Sequence, residues 1–327
     1  MTWALRGRWC GEAMRDAQGR TIDYLRLSLT PSCNLRCRYC SSSGEDRARE
    51  FSGMDNSDFA FLVSVAALLG IRRVRLTGGE PLLKPDLPEL VAALSGIAGI
   101  LEVSLTTNGH LLASLAGTLK QAGLARVNVS LDSLRAERYR YLTRGGELSD
   151  ALAGLSAALA AGLTPVKINC VVVGGINDDE LTDFAALTYK EPLSVRFIEL
   201  MRLGVAEAWP VTRFVSVKAM QERLGPLENA SEVGAGPATT YRLPGAVGTI
   251  GFISGDSEHF CADCNRVRVT ARGSVRPCLF SSLEIDVLEA VKRRDKGAVA
   301  QTLQAGISAK QPRDARLAKT RMAEIGG

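Results

Sequence analysis

A unit of one short strand, one polar or glycine-containing loop and one helix recurs along the chain between residues 23 and 201. The strand segments alternate apolar and polar residues, while the helical segments repeat apolar residues every three or four positions. In the helix predicted at 148–159, leucines share one face and Gly162 provides the C-terminal cap. Because short helical crossovers require parallel pairing, the repeat predicts an α/β fold built on a parallel sheet or barrel. Its strands are predicted at 24–30, 73–77, 103–107, 127–132, 166–173 and 195–201.

Each predicted strand carries one polar face, which is unusual for a parallel sheet, since helices normally cover both faces. Arg26 lies on the polar face of the first strand, Arg75 on that of the second and Lys167 on that of the fifth. A curved, partly closed barrel with a polar lumen explains this pattern, and cations in the lumen favour an anionic ligand. An open sheet with one solvated face is the alternative, but exposed faces of parallel sheets are rare.

Beyond about residue 205 the repeat gives way to glycine- and proline-rich loops with short β segments, and residues 282–305 look helical. The chain is therefore predicted to have three regions, a partial barrel, a smaller second domain and a basic tail, at 1–205, 206–305 and 306–327. The tail ends in Gly326-Gly327, which on sequence alone reads as a disordered end.

The composition limits the kind of partner. The 40 Lys and Arg residues exceed the 35 Asp and Glu residues by only five over 327 residues, too diffuse a charge for a nucleic-acid binder but compatible with an anionic small molecule. The first residues do not read as a secretory signal, and the longest apolar stretch, 59–71, is well short of the roughly 20 residues that span a bilayer. We therefore expect a cytoplasmic protein without nucleic-acid or membrane partners. Clustered cysteines in a reducing compartment indicate metal or redox chemistry.

Three of the eight cysteines, Cys33, Cys37 and Cys40, form a C-x3-C-x2-C pattern directly after the first strand. This is the carboxyl end of the strand, where barrel enzymes place their chemistry.

A second triplet with the spacing C-x2-C-x13-C lies in the C-terminal region and consists of Cys261, Cys264 and Cys278. A hairpin turning near Arg272-Gly273 is predicted to bring Cys264 and Cys278 together. Because side chains alternate along a strand, Arg266 and Arg268 share the face of Cys264. Two cations are therefore expected beside this triplet.

Two zinc sites, each completed by histidine, aspartate or water, are one interpretation of the triplets. His110 and His259 are the only imidazoles, and only His259 lies near a triplet in sequence. Three thiolates on a four-iron cluster instead leave one iron open for a ligand. The spacing favours iron–sulfur for the first triplet and leaves both options open for the second. Cys170 lies on the apolar face of its predicted strand, as a core residue does. Cys10 is unassigned.

The segment Cys33–Cys40, Cys-Asn-Leu-Arg-Cys-Arg-Tyr-Cys, resembles the signature of the radical S-adenosylmethionine enzymes, and Gly78-Gly79-Glu80-Pro81 resembles their loop for the methionyl amine. Further segments are similar to the GTP 3',8-cyclase family of molybdenum cofactor biosynthesis, and with the terminal Gly-Gly they extend the match from about residue 20 to residue 327. These segments are 25–30, 74–83, 105–109, 127–134, 196–201 and 264–269.

The resemblance implies a partial (β/α)6 barrel of the TIM type with a smaller C-terminal α+β domain, and a [4Fe-4S] cluster at each end of a shared cavity. It implies that Cys33, Cys37 and Cys40 hold the first cluster and that Cys261, Cys264 and Cys278 hold the second. The implied contacts of S-adenosylmethionine are Tyr39, Gly79, Glu80, Ser130 and Met201. The implied GTP contacts are Arg26, Arg75, Thr106, Lys167, Arg266, Val267 and Arg268. Catalytic roles fall to Arg266, Arg268, Gly326 and Gly327, since the terminal glycines of the family enter the active site.

The implied reaction begins with reductive cleavage of S-adenosylmethionine to a 5'-deoxyadenosyl radical, which removes the C3' hydrogen of GTP. Bonding of C3' to C8 then leads to (8S)-3',8-cyclo-7,8-dihydroguanosine 5'-triphosphate, the first step of molybdenum cofactor biosynthesis. The implied partners are GTP, an electron donor such as flavodoxin or ferredoxin, and MoaC as the next enzyme, and a homodimer is left open. Ser41-Ser42-Ser43-Gly44 departs from the family pattern near the adenosyl group.

Two alternatives remain at this stage. Another radical enzyme with an auxiliary cluster, such as a peptide-modifying enzyme, explains both triplets but not Arg26, Arg75 and Lys167. A zinc-stapled, mildly basic binding protein is the alternative from another class, and iron and sulfide analysis separates it from the enzymes.

Overall fold

The computed structural model describes residues 14–40, 53–230, 236–255, 257 and 261–311. Within these residues the strands form a single mixed sheet in the order β12-β11-β10-β1-β2-β3-β4-β5-β6-β9-β8-β7. The strands are β1 (Tyr24–Ser28), β2 (Arg73–Thr77), β3 (Glu102–Thr107), β4 (Arg126–Ser130), β5 (Lys167–Val172), β6 (Ser194–Glu199), β7 (Glu228–Asn229), β8 (Thr239–Arg242), β9 (Thr249–Ile253), β10 (Arg266–Val269), β11 (Ser274–Arg276) and β12 (Ile285–Asp286).

The helices lie mainly between consecutive parallel strands. They are α1 (Asn56–Leu68), α2 (Leu87–Ser95), α3 (Leu112–Gln121), α4 (Ala136–Thr143), α5 (Leu148–Ala160), α6 (Leu181–Lys190), α7 (Val217–Leu224), α8 (Leu288–Lys292) and α9 (Lys296–Ser308). Three short 3₁₀ turns occur at Pro81–Leu83, Gly204–Ala208 and Val211–Arg213. None of the helices in the described part of the chain combines the length and the apolar character needed to cross a membrane.

The first six strands pair in chain order, and every pair among them is parallel. The predicted α/β architecture with a six-unit partial barrel is therefore confirmed. All six predicted strands are present, with ends that differ from the prediction by a few residues.

The C-terminal third adds strands to both edges of this barrel. β10 pairs in parallel with β1, and β9 pairs in parallel with β6. The predicted hairpin around Arg272-Gly273 is confirmed, because β10 and β11 are antiparallel and Gly273 has the positive φ that a tight turn requires. Within the described residues the C-terminal strands therefore extend the barrel sheet rather than forming a sheet of their own. The boundary at 205/206 stays a prediction.

The predicted helix at 282–305 is two helices preceded by β12. Arg294 has a φ of +57° and interrupts the path between α8 and α9. Both helices contact α1, whose start is capped by Asp55. The Asp58 carboxylate in the first turn of α1 binds Lys292 at 2.5 Å and Arg294 at 2.8 Å. Asp58 thereby joins the C-terminal helices to the first helix of the barrel.

The apolar face of the strands supplies the main core. Leu25, Val74, Leu105, Val127 and Ile168 are fully shielded from solvent, or nearly so, and belong to one cluster that includes the inner faces of the helices. Each such side chain contributes roughly 1.5–3 kcal/mol on burial. Since side chains alternate along a strand, this core fixes the other face of each strand toward the barrel interior.

Candidate active site

The glycine loop after β2 is packed against the chain that leads into the first cysteine triplet. Gly79 donates its N–H to the Thr30 carbonyl at 2.6 Å, and Glu80 donates to the Ser32 carbonyl at 2.8 Å. A β-carbon on Gly79 would lie 2.1 Å from the Ser32 carbonyl oxygen. Only glycine permits this approach, so the loop fixes the main chain immediately before Cys33.

The three thiols of the first triplet lie close enough to influence one another. Burial raises the pKa of Cys37 well above its ordinary value, and the negative charges of Asp132, Cys40 and Cys33 raise it further. The Cys33 sulfur accepts a hydrogen bond from the Leu35 N–H at 3.4 Å. None of the three cysteines is in a disulfide. Because three half-buried thiolates this close together repel one another without a compensating cation, this group fits a metal centre.

Glu80 links the glycine loop to the end of β3. Its carboxylate accepts hydrogen bonds from the Thr107 hydroxyl at 2.7 Å and from the N–H groups of Asn108 at 2.8 Å and Leu82 at 3.0 Å. Burial raises the pKa of Glu80 to about 7, although these hydrogen bonds oppose the rise. Asn108 in turn places its amide 3.9 Å from the Cys33 sulfur. The predicted cofactor loop and the first triplet therefore form one connected unit.

Tyr39 connects the triplet loop to the ends of β4 and β5. Its hydroxyl donates to Asp132 at 2.7 Å, and the other Asp132 oxygen accepts from the Val171 N–H at 2.9 Å. Burial raises the pKa of Asp132 to about 6, while the bonds from Tyr39 and Val171 lower it. Ser130, at the end of β4, pairs with Asn169 on β5. Tyr39, Ser130 and Gly79 therefore all lie on segments at the carboxyl ends of the strands.

Three arginines lie side by side on the inner face of the barrel. Arg26 on β1 is in register with Arg268 on β10 on one side and with Arg75 on β2 on the other. Burial lowers the pKa of Arg26 well below its ordinary value, and the positive charges of Arg268 and Arg75 lower it further. Arg75 donates to the hydroxyl groups of Tyr24 and Thr106. An anion bound among these guanidinium groups would offset their repulsion.

The inner face also holds buried polar atoms that no described residue satisfies. The side-chain oxygens of Asn128 on β4 and Asn169 on β5 accept no hydrogen bond within the described part of the chain. Asn128 is in register with Thr106 on β3 and with the buried Lys167 on β5. Buried acceptors without partners are uncommon in folded proteins, so these amides are suited to meet donors of a bound ligand.

Arg196 is a further inner-face cation, beyond those predicted from the sequence. It lies on β6 in register with Asn169, and only 7% of the residue is exposed. Alternation along β6 puts Arg196 on the inner face, as alternation along β5 does for Lys167, because the neighbouring Val195 and Phe197 are core residues. The cationic inner face therefore continues from β10 to β6.

The second triplet lies at the start of the β10–β11 hairpin. The Cys264 N–H donates to the Cys261 carbonyl at 3.3 Å. Burial by itself raises the pKa of Cys264, but Arg266 and Lys310 outweigh burial and lower the pKa to about 7. Burial also lowers the pKa of Arg268 to about 10, although Cys278 and Cys264 favour its charged form. The expected proximity of the two arginines to this triplet is confirmed.

Val267 and Met201 have different surroundings from the other predicted contacts. The Val267 side chain is fully buried in the apolar core, so any contact of Val267 with a ligand has to come from its main chain. Met201, after β6, packs against a small second apolar cluster of Leu203, Leu279 and Phe280. Cys278 of the second triplet packs against the same cluster.

The two triplets flank the cationic face from opposite ends of the strands. Because β1 and β10 are parallel, Cys264, just before β10, lies toward the amino ends, whereas Cys33, just after β1, lies toward the carboxyl ends. A five-residue strand such as β1 is about 16 Å long. A ligand on Arg26 and Arg268 would therefore lie between the two groups of thiols.

Several predicted residues lie outside the described residues, namely Cys10, Ser41-Ser42-Ser43-Gly44, His259, Gly326 and Gly327. Among the described residues, no three cysteine, histidine, aspartate or glutamate side chains are arranged to share one metal ion. A four-iron cluster, by contrast, binds each thiolate through a different iron. Cys170 is buried in the core, as its parity predicted.

The fold and the cysteine site together define a radical S-adenosylmethionine enzyme. Residues 27–188 match the family model described as Radical SAM superfamily, and residues 193–315 match the one described as Molybdenum Cofactor Synthesis C. SuiB of Streptococcus suis, solved with precursor peptide SuiA, has a TM-score of 0.61 and 15% identity, covering 90% of this chain and 68% of SuiB. The protein anSMEcpe with bound AdoMet has a TM-score of 0.57 and 14% identity, covering 91% of this chain and 93% of the other. At this identity the likeness shows the fold alone.

Sequence comparison narrows the class. The GTP 3',8-cyclase of Pelotomaculum thermopropionicum is 47% identical over 326 residues, covering 96% of this chain and 100% of the relative. The GTP 3',8-cyclase of Moorella thermoacetica is 49% identical over 279 residues, covering 84% of this chain and 86% of the relative. The chain belongs to the GTP 3',8-cyclase family.

Proposed function

We propose that this chain binds S-adenosylmethionine and two [4Fe-4S] clusters and converts GTP to (8S)-3',8-cyclo-7,8-dihydroguanosine 5'-triphosphate, the first step of molybdenum cofactor biosynthesis. The observation that carries the proposal is the row of Arg26, Arg75 and Arg268 between two groups of thiols. A triphosphate supplies the negative charge that such a row requires, and several cations are needed to hold one. Family membership supports the same reaction.

Cys33, Cys37 and Cys40 would hold the first cluster, and Cys261, Cys264 and Cys278 would hold the second. When bound, the first cluster and S-adenosylmethionine would supply the radical chemistry that removes hydrogen from C3' of GTP, and the second cluster would bind guanine. The protein's own contribution is placement, since a misplacement of about 1 Å can cost about a hundredfold in rate.

The binding of the cofactor falls to the carboxyl ends of the strands. Gly79 and Glu80 lie beside Cys33, and Tyr39 is joined through Asp132 to the end of β4 near Ser130. A methionyl group bound there would meet main-chain donors and acceptors of the glycine loop, and Glu80 is proposed to contact it as well. Met201 is proposed to complete this pocket from the end of β6.

The binding of the nucleotide falls to the inner face. Arg26, Arg75, Lys167 and Arg268 are proposed to hold the triphosphate, with Thr106 as a neutral donor and Arg266 beside the guanine end. The side-chain oxygens of Asn128 and Asn169 accept no hydrogen bond from the described residues and would orient the ribose or the base. Gly326 and Gly327 are proposed to enter the same cavity, and full activity after deletion of both would contradict this.

The test is an anaerobic assay with reduced, iron-loaded protein, S-adenosylmethionine and GTP, in which 5'-deoxyadenosine and the cyclised nucleotide are measured in one tube. GTP-dependent release of both products supports the proposal. Release of 5'-deoxyadenosine without dependence on GTP would move the substrate elsewhere, and zinc without sulfide in the purified protein would end the enzyme hypothesis.

The remaining partners are also proposals. Flavodoxin or ferredoxin is proposed as the electron donor, since the net charge of +5 attracts an acidic carrier, and the reduction rate should fall with added salt. MoaC is proposed to receive the product, which a coupled assay tests. A homodimer is tested by sedimentation. A reducing compartment such as the cytoplasm is proposed because the described cysteines carry no disulfide.

A further inference from the structure

Two buried cations from distant parts of the chain surround the second cysteine triplet. Arg20 lies near the start of the described chain, and Lys310 follows the C-terminal helix α9. Only 2% of Lys310 is exposed, and the side chain of Arg20 is 9% exposed. Neither residue belongs to a motif that the sequence analysis singled out.

The three N–H donors of the Lys310 ammonium all have acceptors around the triplet. They point to the carbonyl oxygens of Arg266 at 2.8 Å and Pro277 at 3.0 Å, and to the Cys264 sulfur at 3.8 Å. Arg266 follows Cys264 closely and Pro277 precedes Cys278. One side chain therefore fixes both arms of the hairpin that carries the triplet.

Arg20 fixes the remaining member. It donates to the carbonyl of Cys261, and its Nε binds Asp16 at 2.6 Å. The other Asp16 oxygen accepts from the N–H groups of Gln18 and Arg20, which closes a tight turn over 16–20. The Gln18 amide donates to the Lys310 carbonyl at 3.0 Å and joins the two cationic residues through the main chain.

The charge of Lys310 has an unusual environment. Within the described residues no carboxylate lies at ion-pair distance from its ammonium. Burial lowers the pKa of Lys310, and Cys264 and Cys278 oppose that fall. A buried ammonium without a carboxylate is costly, so its counter-charge has to come from the thiolates. The Cys264 sulfur, 3.8 Å from the ammonium, is placed to supply that counter-charge as a thiolate when it holds a cluster.

We propose that Lys310 and Arg20 are positioning residues for the second cluster, and that the Lys310 charge raises the reduction potential of that cluster. The geometry of the main chain around all three cysteines depends on the two cations. A positive charge near the sulfurs favours the reduced, more negative state of a cluster, as hydrogen bonds and net charge do in general. This inference rests on the proposal that the triplet holds a cluster.

The experiment uses the full chain in which Cys33, Cys37 and Cys40 are replaced by alanine, so that only the second cluster remains. Iron and sulfide analysis comes first, with about four irons per chain expected. Absence of iron there would overturn the proposed second cluster itself. With the cluster present, a redox titration followed by electron paramagnetic resonance gives its potential in each variant.

Lys310→Met keeps the length of the side chain and removes its charge. We expect reduction to become about tenfold less favourable, a shift of about 59 mV to more negative potential for one electron. Lys310→Arg should restore most of the potential. Lys120→Met is the matched control, because Lys120 also donates to a carbonyl, that of Gly162, but is exposed and distant in sequence from the triplet.

An unchanged potential in Lys310→Met with full iron content would overturn the electrostatic role. If Lys310→Met does not retain iron, Lys310→Gln is used instead, because its amide still donates to a carbonyl without carrying charge. An unchanged potential in Lys310→Gln would contradict the electrostatic role in the same way. Arg20→Met tests positioning. The second cluster should lose iron to a chelator several-fold faster than in the parent, and an equal rate would remove Arg20 from the proposal.

Discussion

Gly79→Ala tests how the glycine loop supports the first triplet. The new β-carbon would lie 2.1 Å from the Ser32 oxygen, and contacts under 3.0 Å essentially do not occur, so the two segments must separate by about 1 Å. This strains the hydrogen bonds that Gly79 and Glu80 donate to Thr30 and Ser32, each worth about 1 kcal/mol. Together with overpacking of about 1–3 kcal/mol, the cost is about 3–5 kcal/mol on the loop that precedes Cys33.

The assay is iron content and S-adenosylmethionine cleavage under anaerobic conditions. A loss of 3 kcal/mol corresponds to about a hundredfold change, so 5'-deoxyadenosine release should fall by at least about that factor. Iron should fall from about eight to about four per chain, because the second triplet lies toward the opposite ends of the strands from this loop. Gly117→Ala is the control, since a β-carbon on Gly117 meets nothing within 4 Å and alanine stabilises a helix by about 0.5–1 kcal/mol.

The reasoning fails if Gly79→Ala retains both clusters and normal 5'-deoxyadenosine release. That result would mean that the Thr30–Ser32 segment yields freely, and that the close approach of the two loops is not what holds Cys33 in position. Loss of both clusters together would also contradict it, since the effect is expected at the first triplet alone.

Three further changes probe the nucleotide face, the buried carboxylate and the helix junction. Arg268→Ala should lower kcat/KM for GTP about 10- to 100-fold with both clusters retained, because a buried charged hydrogen bond is worth about 1.5–3 kcal/mol. Arg293→Ala is the control and should change kcat/KM little, because Arg293 is exposed. An unchanged kcat/KM would remove Arg268 from the site. The pKa of Glu80 is raised from 4.5 to about 7 in the folded protein, so the folded form binds this proton more tightly than the unfolded form does. The free energy of unfolding of the cluster-free protein should therefore fall as the pH rises from about 4.5 to 7. Urea unfolding at several pH values should show this fall weakened in Glu80→Gln, and an identical pH dependence would refute it. Asp58→Asn should lower the free energy of unfolding by about 1–3 kcal/mol, because it weakens a helix cap and two ion pairs with half-exposed partners. Thermal unfolding should show this as a lower Tm. A parental Tm would show that the junction contributes nothing.

The barrel strands were predictable because apolar and polar residues alternate along each strand according to the face on which they lie. Leu25 and Leu27 face helices while Arg26 faces the interior, and the period of two makes the assignment local. The same rule predicted Arg75 and Lys167 on the inner face, and Arg266 and Arg268 on the face of Cys264. The β10–β11 hairpin was predictable for a similar reason, since its turn glycine separates two short alternating segments.

The long-range features were not predictable from local pattern. Nothing in the residues of β9 and β10 shows that they add to the two edges of the barrel, because pairing partners lie far away in sequence. Arg20 and Lys310 carry no motif, and their role depends on three distant segments meeting. The division of 282–305 depends on the backbone of Arg294, a residue type that gives no turn signal.

The parallel pairing of β1 with β10 explains why the two cysteine triplets lie at opposite ends of one row of cations. Val267 and Val269 are fully buried in the core, which holds Arg266 and Arg268 on the opposite face. A slip of β10 by one residue would put the arginines into the core and the valines into the interior, a change that costs both apolar burial and buried charge. The apolar core therefore determines the register, and the register in turn places Arg268 beside Arg26 and Cys264 at the opposite end of the strands from Cys33. In this fold the cationic face is specified by the same alternating residues that stabilise the barrel.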